Sequence, residues 1–360
     1  VPYFSPVAFT ALGNYPADAA GRKEYWRDIA RLLIKHRLQP DYLYAGPDRA
    51  GIVEDARFFI ENGSKHFNIG YINTEVDDAL AATIKKAYDE VKAAGLLEYA
   101  YFYCYDENPA ELFEMISRSL RRVREIAPEV PIYTTMYDST FGQASNTIGF
   151  VDGWIPLTKV YGDNQKGIEE ARARGEKIGW YVCCTPLAPY ANFLLEMPST
   201  ANRLLMGFMN KKFKTDFFLY YNATVWRIYE KNQTGSYVIV GVPDPISGGP
   251  LIGGDWYGES FQDFAGDGRL TYPAMDGPIP TQRIKMIRDG IEDWMYLDML
   301  EKAVDNSSDM SAEWYSTAIK EMAVEDELVT SLIEWTTDPA LVKDKKARIA
   351  DLLEEYYKTK

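Results

Sequence analysis

Eight short runs rich in Tyr, Phe, Ile and Val recur along this chain, and nearly every one is followed by a longer segment with apolar residues at helical spacing. The runs are 7–10, 41–45, 66–71, 99–105, 131–137, 153–158, 177–184 and 216–222. Several are apolar throughout instead of alternating, as expected of parallel strands covered on both faces. After the third run, Val76, Leu80, Ile84, Ala87 and Val91 recur with a helical period, and after the fourth Leu112, Ile116, Leu120, Val123 and Ile126 do the same. Segments 22–38, 49–62, 164–174 and 199–213 also read as helices. The stretch after the fifth run, "DSTFGQASNTIGF", is weaker, and only a short helix is expected there.

A strand followed by a helix, eight times, is the pattern of a (β/α)8 TIM barrel. The competing doubly wound sheet would carry a Gly-rich phosphate turn after its first strand, and this chain has none. Residues 225–280 break the rhythm with Gly, Pro, Asp and aromatics. A loop of that length after strand 8 belongs on the C-terminal face of the barrel, where it is expected to form one wall of the site. Residues 281–304 read as the eighth helix. The expected division is thus a barrel over 1–304 and C-terminal helices over 305–360, packed on it.

The formal charge is -14 and the pI near 4.8. Phosphate backbones call for basic stripes, so no nucleic-acid partner is expected. No apolar run is long enough for a membrane span. Three cysteines without zinc spacing and two histidines argue against a metal, and no cofactor is expected. The chain begins at Val1 without methionine, and Asn62, Asn222, Asn232 and Asn306 each open an N-x-Ser/Thr triplet. The expectation is a removed leader or upstream domain and a secreted or extracytoplasmic location.

The fourth run, "YAYFYCY", leads straight into Asp106 and Glu107. Chemistry in barrels sits where strands end and loops begin. Neighbours on a strand point to opposite faces, so both acids can face one pocket only where the strand is breaking up. Asn108 as N-cap and Pro109 as first helical residue suit such a break and would hold Glu107 in place. The plain alternative is a pair of surface acids at the positive end of a helix. Two carboxylates are what glycoside hydrolysis needs, a proton donor and a nucleophile or base. Retaining barrel glycosidases place the nucleophile after strand seven, but here that strand ends "WYVCCTPLAPY", with Glu196 the next acid along. The sugar can fill that place, because a 2-acetamido carbonyl oxygen can attack C1 itself. Glu107 would then be the general acid and base, shielded by aromatic neighbours, while Asp106 would accept the acetamido N–H and stabilise an oxazolinium-like intermediate.

The segments "YCYDENP", "GWIPLT", "WYVCCTPLAPYANF", "DFFLYYNATVW", "GDGRLTYP" and "PIPTQRIKMIRDGIEDWMYLDML" together resemble the catalytic domain of glycoside hydrolase family 123, whose members are β-N-acetylgalactosaminidases. The resemblance implies a metal-free (β/α)8 barrel, retention by neighbouring-group participation, and Asp106 and Glu107 as stabiliser and acid/base. Two departures stand out. Family members often carry an N-terminal β-sandwich, and this chain opens in barrel-like sequence; it also has Tyr221 where the family tends to carry Trp.

Sugar sites use aromatic faces and hydroxyls, so Tyr137, Trp154, Tyr181 and Trp226, at or near strand ends, are candidate substrate-binding residues, with simple core packing as the alternative. Asp267, in a Gly-Asp-Gly turn, is a candidate for binding sugar hydroxyls or a plain turn former. Cys183 and Cys184 are a vicinal disulfide or buried thiols. Arg283, Arg288 and Glu292, at helical spacing, are expected to form a structural ion-pair network. The partner is a glycan or glycoconjugate. Two other functions fit the same residues: a glycosidase for another β-linked sugar with a remote carboxylate base, and a non-catalytic carbohydrate-binding barrel.

Overall fold

The computed structural model describes residues 6–8, 19–226, 228–241, 259–261, 263–274 and 277–360. Nine parallel strands carry the scaffold: β1 Pro6–Ala8, β2 Gln39–Asp41, β3 Phe67–Ile72, β4 Ala100–Cys104, β5 Ile132–Thr134, β6 Gly153–Trp154, β7 Lys177–Ile178, β8 Trp180–Val182 and β9 Phe218–Tyr220. They form two sheets, in the orders β2-β1-β9-β8 and β3-β4-β5-β6-β7. Strands β7 and β8 are one run parted at Gly179, where the chain leaves β6 in one sheet and joins β9 in the other. Only glycine fits at that passage, because a Cβ would lie 2.1 Å from the Phe217 ring and 2.4 Å from its carbonyl oxygen.

All eight expected runs therefore overlap a strand, with two adjustments. Residues 9 and 10 of the first run lie outside the described residues, and the second strand is Gln39–Asp41 and not 41–45. The shift has a physical cause at the other seam between the sheets, where β2 and β3 form no ladder among the described residues. The buried Asp41 carboxylate replaces main-chain pairing there, its Oδ2 accepting from Asn68 N and Tyr101 Oη, both at 2.8 Å. Asn68 donates its amide to Leu43 O at 3.0 Å, and Tyr71 N reaches Ala45 O at 2.7 Å. The strand gives way because side chains satisfy its neighbours better than its own backbone can.

The strands alternate between two packing layers. On β4, Phe102 and Cys104 join the large core shared with the helices, while Tyr101 and Tyr103 belong to a separate inner cluster. That inner cluster draws Leu43, Ile155, Tyr181, Phe217 and Leu219 from both sheets. Burying each such side chain contributes roughly 1.5–3 kcal/mol, so the inward aromatics hold the sheets together from within.

The helices are α1 Ala19–Lys35, α2 Ile52–Glu61, α3 Asp78–Ala93, α4 Phe113–Ile126, α5 Thr158–Asp163, α6 Gln165–Ala173, α7 Ser199–Leu204, α8 Gln282–Asp305, α9 Ala312–Met322 and α10 Pro339–Lys358. The expected short helix over 138–150 is instead a run of turns. The Asp138 carboxylate organises it by accepting from the backbone N–H of Thr140, Gly142 and Ser145 at 2.8, 3.1 and 3.0 Å, which competes with helical pairing. Helix α7 runs on through a π turn, Leu205–Met209, and crosses α8 at two glycines: a Cβ on Gly290 would lie 2.2 Å from Arg203 O. Beside that crossing the buried Arg203–Asp293 pair closes at 2.5 Å. In the long segment, Ile228–Lys231 pairs with Tyr237–Gly241, Glu259–Phe261 with Phe264–Ala265, and Thr271–Tyr272 with Ile279–Pro280. Residues 242–258 of it lie outside the described residues.

Candidate active site

Beyond Cys104 the chain breaks strand geometry abruptly. Tyr105 and Glu107 both take left-handed backbone, at φ 56° and 55°. Such conformations cost of order 1–3 kcal/mol each for residues with a Cβ and persist only where the surroundings enforce them. Here Tyr105 N donates to Ile72 O at 2.8 Å, its hydroxyl to Thr74 O at 2.9 Å, and its carbonyl accepts from Thr134 Oγ1 at 2.9 Å. The two kinks cancel the usual alternation, so Asp106 and Glu107 open into the same cavity.

The expected cap is absent. Asn108 is buried and caps nothing; Pro109, at ψ 168°, keeps the chain extended, and a 3-10 turn at Ala110–Leu112 precedes α4. The proline delays the helix, and Glu107 is held by other means: Asn108 O accepts from Tyr137 N at 3.1 Å, and Glu107 Oε1 accepts from the Tyr181 hydroxyl.

The two acids sit in different surroundings. Asp106 Oδ1 accepts from Tyr103 Oη and Thr135 Oγ1, both at 2.6 Å, and Asn73 Oδ1 holds its backbone N–H at 3.1 Å. Burial raises the Asp106 pKa, the two hydroxyls pull it back, and the neighbouring Glu107 charge pushes it up again. Glu107 is exposed, so the aromatic shielding expected of it is not present in the free protein. Its charge reaches the phenol beside it, where burial first and Glu107 second push Tyr137 up to about 12.

A third acid shares the cavity. Asp267 is fully buried, its two oxygens accepting from Tyr220 Oη at 3.1 Å and Tyr221 Oη at 3.0 Å. Burial pushes it up to about 6 against the pull of those hydroxyls. The turn that presents it is anchored by Arg283, which donates to Phe193 O and Gly266 O at 2.6 Å and to Arg269 O. Arg283 is thus a clamp on loop carbonyls and, among the described residues, not part of an ion pair, whereas Glu292 does meet Arg37 at 3.6 Å and Arg288 at 3.9 Å. From the long segment, Asp267 lines this cavity.

Tyr44, Tyr181, Tyr221 and Leu219 line the rest, together with Cys183 and Cys184, and the space measures about 510 Å³ out to its open mouth. Of the aromatic candidates, Tyr181 is in this cavity. Tyr137 and Trp154 line a neighbouring, mainly apolar cavity that also contains Thr135. Trp154 is buried with its indole N–H on Glu176 Oε2 at 2.9 Å, and Trp226 is buried against Tyr25 with its N–H on Thr271 O at 2.7 Å. Both tryptophans stand outside the acid-bearing cavity because each indole N–H finds its partner within the fold. Sequence reasoning missed Tyr103, Thr135 and Tyr44; the inward alternation of β4 was the available signal for Tyr103. Cys183 and Cys184 are free thiols, with sulfurs 3.8 Å apart. Among the described residues no group of three His, Cys, Asp or Glu is arranged to hold a metal ion, and no helix is long and apolar enough to cross a membrane.

A pair of adjacent carboxylates, one half-buried and one exposed, at the C-terminal edge of a parallel sheet and open to one cavity, is the equipment of an acid–base glycosidase. Residues 59–300 match the glycoside hydrolase 123 catalytic domain, and the chain belongs to that family. A family 123 glycoside hydrolase from Clostridium perfringens, studied for the details of glycolipid glycan hydrolysis, superimposes with a TM-score of 0.55 at 10% identity, covering 99% of this chain and 70% of that one. That likeness concerns the fold. The native xylanase 10B from Thermotoga maritima aligns at a TM-score of 0.44 and 12% identity, over 81% of this chain and 95% of that one. No curated protein sequence matches.

Proposed function

We propose that this glycoside hydrolase removes β-linked N-acetylgalactosamine by a retaining, substrate-assisted mechanism, in a (β/α)8 barrel over 1–304 with the C-terminal helices packed on it. The observation that carries the reading is the one-sided support of Asp106. Both hydroxyl donors bind Oδ1, which leaves Oδ2 to receive a substrate N–H. An acetamido group bound there would have its carbonyl oxygen turned toward C1, and the Asp106 charge would stabilise the cationic ring that forms. Glu107, on its Tyr181 tether at the mouth, would protonate the departing oxygen and then activate water. Being exposed, it would acquire its desolvation from the bound glycan. Substitution tests this: Glu107→Gln and Asp106→Asn should each lower kcat/KM on an aryl N-acetyl-β-galactosaminide by at least about a hundredfold, in line with loss of a general acid or a charge stabiliser. Wild-type rates in both would end the proposal.

Asp267 favours a second reading. An acid in the same cavity, held by two phenols, could serve as a protein base toward a sugar without the acetamido group. Asp267→Asn assayed on a pair of aryl glycosides, with and without the 2-acetamido group, separates the two. Under the first reading only the acetamido sugar is turned over by the parent enzyme.

A further inference from the structure

The cavity has one feature that acid–base hydrolysis does not use. Cys183 and Cys184 follow β8 directly and both line the space that holds Asp106, Glu107 and Asp267. Their sulfurs are 3.8 Å apart and neither residue is fully buried, whereas the third cysteine, Cys104, is buried in the core. The turn that presents them is tied down: Cys183 N donates to Thr185 O at 2.9 Å, and the buried Asn192 amide donates to Cys183 O at 2.9 Å and Pro186 O at 3.0 Å. We propose that Cys183 and Cys184 form a dithiol modification site, that it takes low-molecular-weight disulfides, and that its closure to a vicinal disulfide weakens sugar binding.

The steps balance. The Cys184 thiolate attacks one sulfur of RS–SR, forming Cys184–S–S–R and releasing RS⁻, which takes up a proton. The Cys183 thiolate then attacks the Cys184 sulfur, the second RSH leaves, and the Cys183–Cys184 bond forms. Two thiols are oxidised and one small disulfide is reduced to two thiols. The division of labour has physical support. The hydrogen bond from Cys183 lowers the Cys184 pKa, while that same bond and burial raise Cys183; the Asp267 and Glu107 charges oppose the effect at Cys184. Closure draws the sulfurs to about 2.0 Å, so the stretch of wall facing Tyr44, Tyr181 and Tyr221 must rearrange.

The inhibition half of the proposal rests on the glycosidase reading; the modification half does not. The protein, reduced and then incubated with oxidised glutathione, is followed by intact mass, peptide mapping and hydrolysis of the aryl N-acetyl-β-galactosaminide. The expected result is a mass lower by two hydrogens, a Cys183–Cys184 bond with Cys104 still a thiol, and kcat/KM down about tenfold, equivalent to losing one good polar contact. Dithiothreitol should restore both mass and rate. In the Cys183→Ser/Cys184→Ser variant the oxidised and reduced rates should be equal, and reversal in the wild-type protein carries the same test if that variant fails to fold. Thiols that stay unmodified, or a vicinal disulfide that leaves the rate unchanged, would overturn the proposal. A reduced enzyme inactive on every glycoside would instead defeat the glycosidase reading, and the mass result would still decide whether the dithiol reacts.

Discussion

Removing one hydroxyl from beside Asp106 should move the acid side of the pH–rate profile. Tyr103 Oη, Thr135 Oγ1 and Asp106 Oδ1 form a triangle with sides of 2.6, 2.6 and 2.8 Å. Two hydroxyl protons serve three oxygens, and both stabilise the charged carboxylate. Thr135→Val keeps the shape of the side chain and removes one of those protons. A hydrogen bond to a charged group contributes about 1.5–3 kcal/mol, and because Asp106 is partly open to solvent the lower end applies. At about 1.4 kcal/mol per pH unit, the acid limb should move upward by about one unit. The direction follows from the chemistry: burial already raises the Asp106 pKa, and losing a donor to the anion raises it further, so the active, ionised form is lost at higher pH. The assay is kcat/KM on the aryl N-acetyl-β-galactosaminide from pH 3.5 to 8, with far-UV circular dichroism confirming the fold at each end. Rates should converge with wild type well above the limb. A limb that stays in place, or a uniform drop at all pH values, would mean that Asp106 does not act as a carboxylate supported by Thr135.

Three further outcomes follow from the geometry. Gly268 sits at φ 67°, and a Cβ there would lie 2.4 Å from Val225 Cγ2 and 2.5 Å from the Tyr221 hydroxyl; Gly268→Ala should therefore cost about 1–3 kcal/mol in thermal denaturation and raise KM by displacing Tyr221 from Asp267. Asp41 is buried and raised from 3.8 to about 6. The folded state then holds a proton that the unfolded chain has lost, so stability falls as pH rises from about 4 to 6. The full effect is about 3 kcal/mol, and Asp41→Asn should flatten the dependence of urea midpoints across that window. Tyr181→Phe removes the hydroxyl that holds Glu107 and should lower kcat more than it raises KM, as expected when a proton donor loses its orientation; an effect on KM alone would place Tyr181 in sugar contact only.

Much of the scaffold is written in local pattern. Strands buried on both faces need long apolar runs and their helices need a helical stripe, and both signals lie within one segment, so β4 and α4 could be read directly. Asp106 and Glu107 were legible for the same reason, standing where the apolar run stops. What escaped depends on partners distant in the chain. Asp41 ends β2 because Asn68 and Tyr101 meet its carboxylate, and nothing near residue 41 announces those partners. Trp154 and Trp226 look like sugar platforms until their indoles find Glu176 and Thr271 O. The Asn108 cap failed because Pro109 can begin a helix or hold an extended link, and its ψ of 168° selects the second. Asp267 could be read only as either a sugar-binding acid or a plain turn former, since its membership of the cavity depends on Arg283 gripping the carbonyls around it.

The abundance of tyrosine, 26 residues, acquires a chemical meaning at this site. Asp106, Glu107 and Asp267 each accept hydrogen bonds from tyrosine hydroxyls, as does Asp41 at the seam between the sheets. Among the described residues neither Asp106 nor Glu107 forms an ion pair with Lys, Arg or His. A lysine or arginine in those places would hold the carboxylates equally well but would cancel their charge. A phenol is neutral: it satisfies the acceptor and fixes the geometry while leaving the negative potential in the cavity nearly intact. A cationic transition state is favoured by that combination of fixed oxygens and uncompensated charge. The cost is visible in the pKa values of Asp106 and Asp267, both raised by burial despite the phenols that hold them.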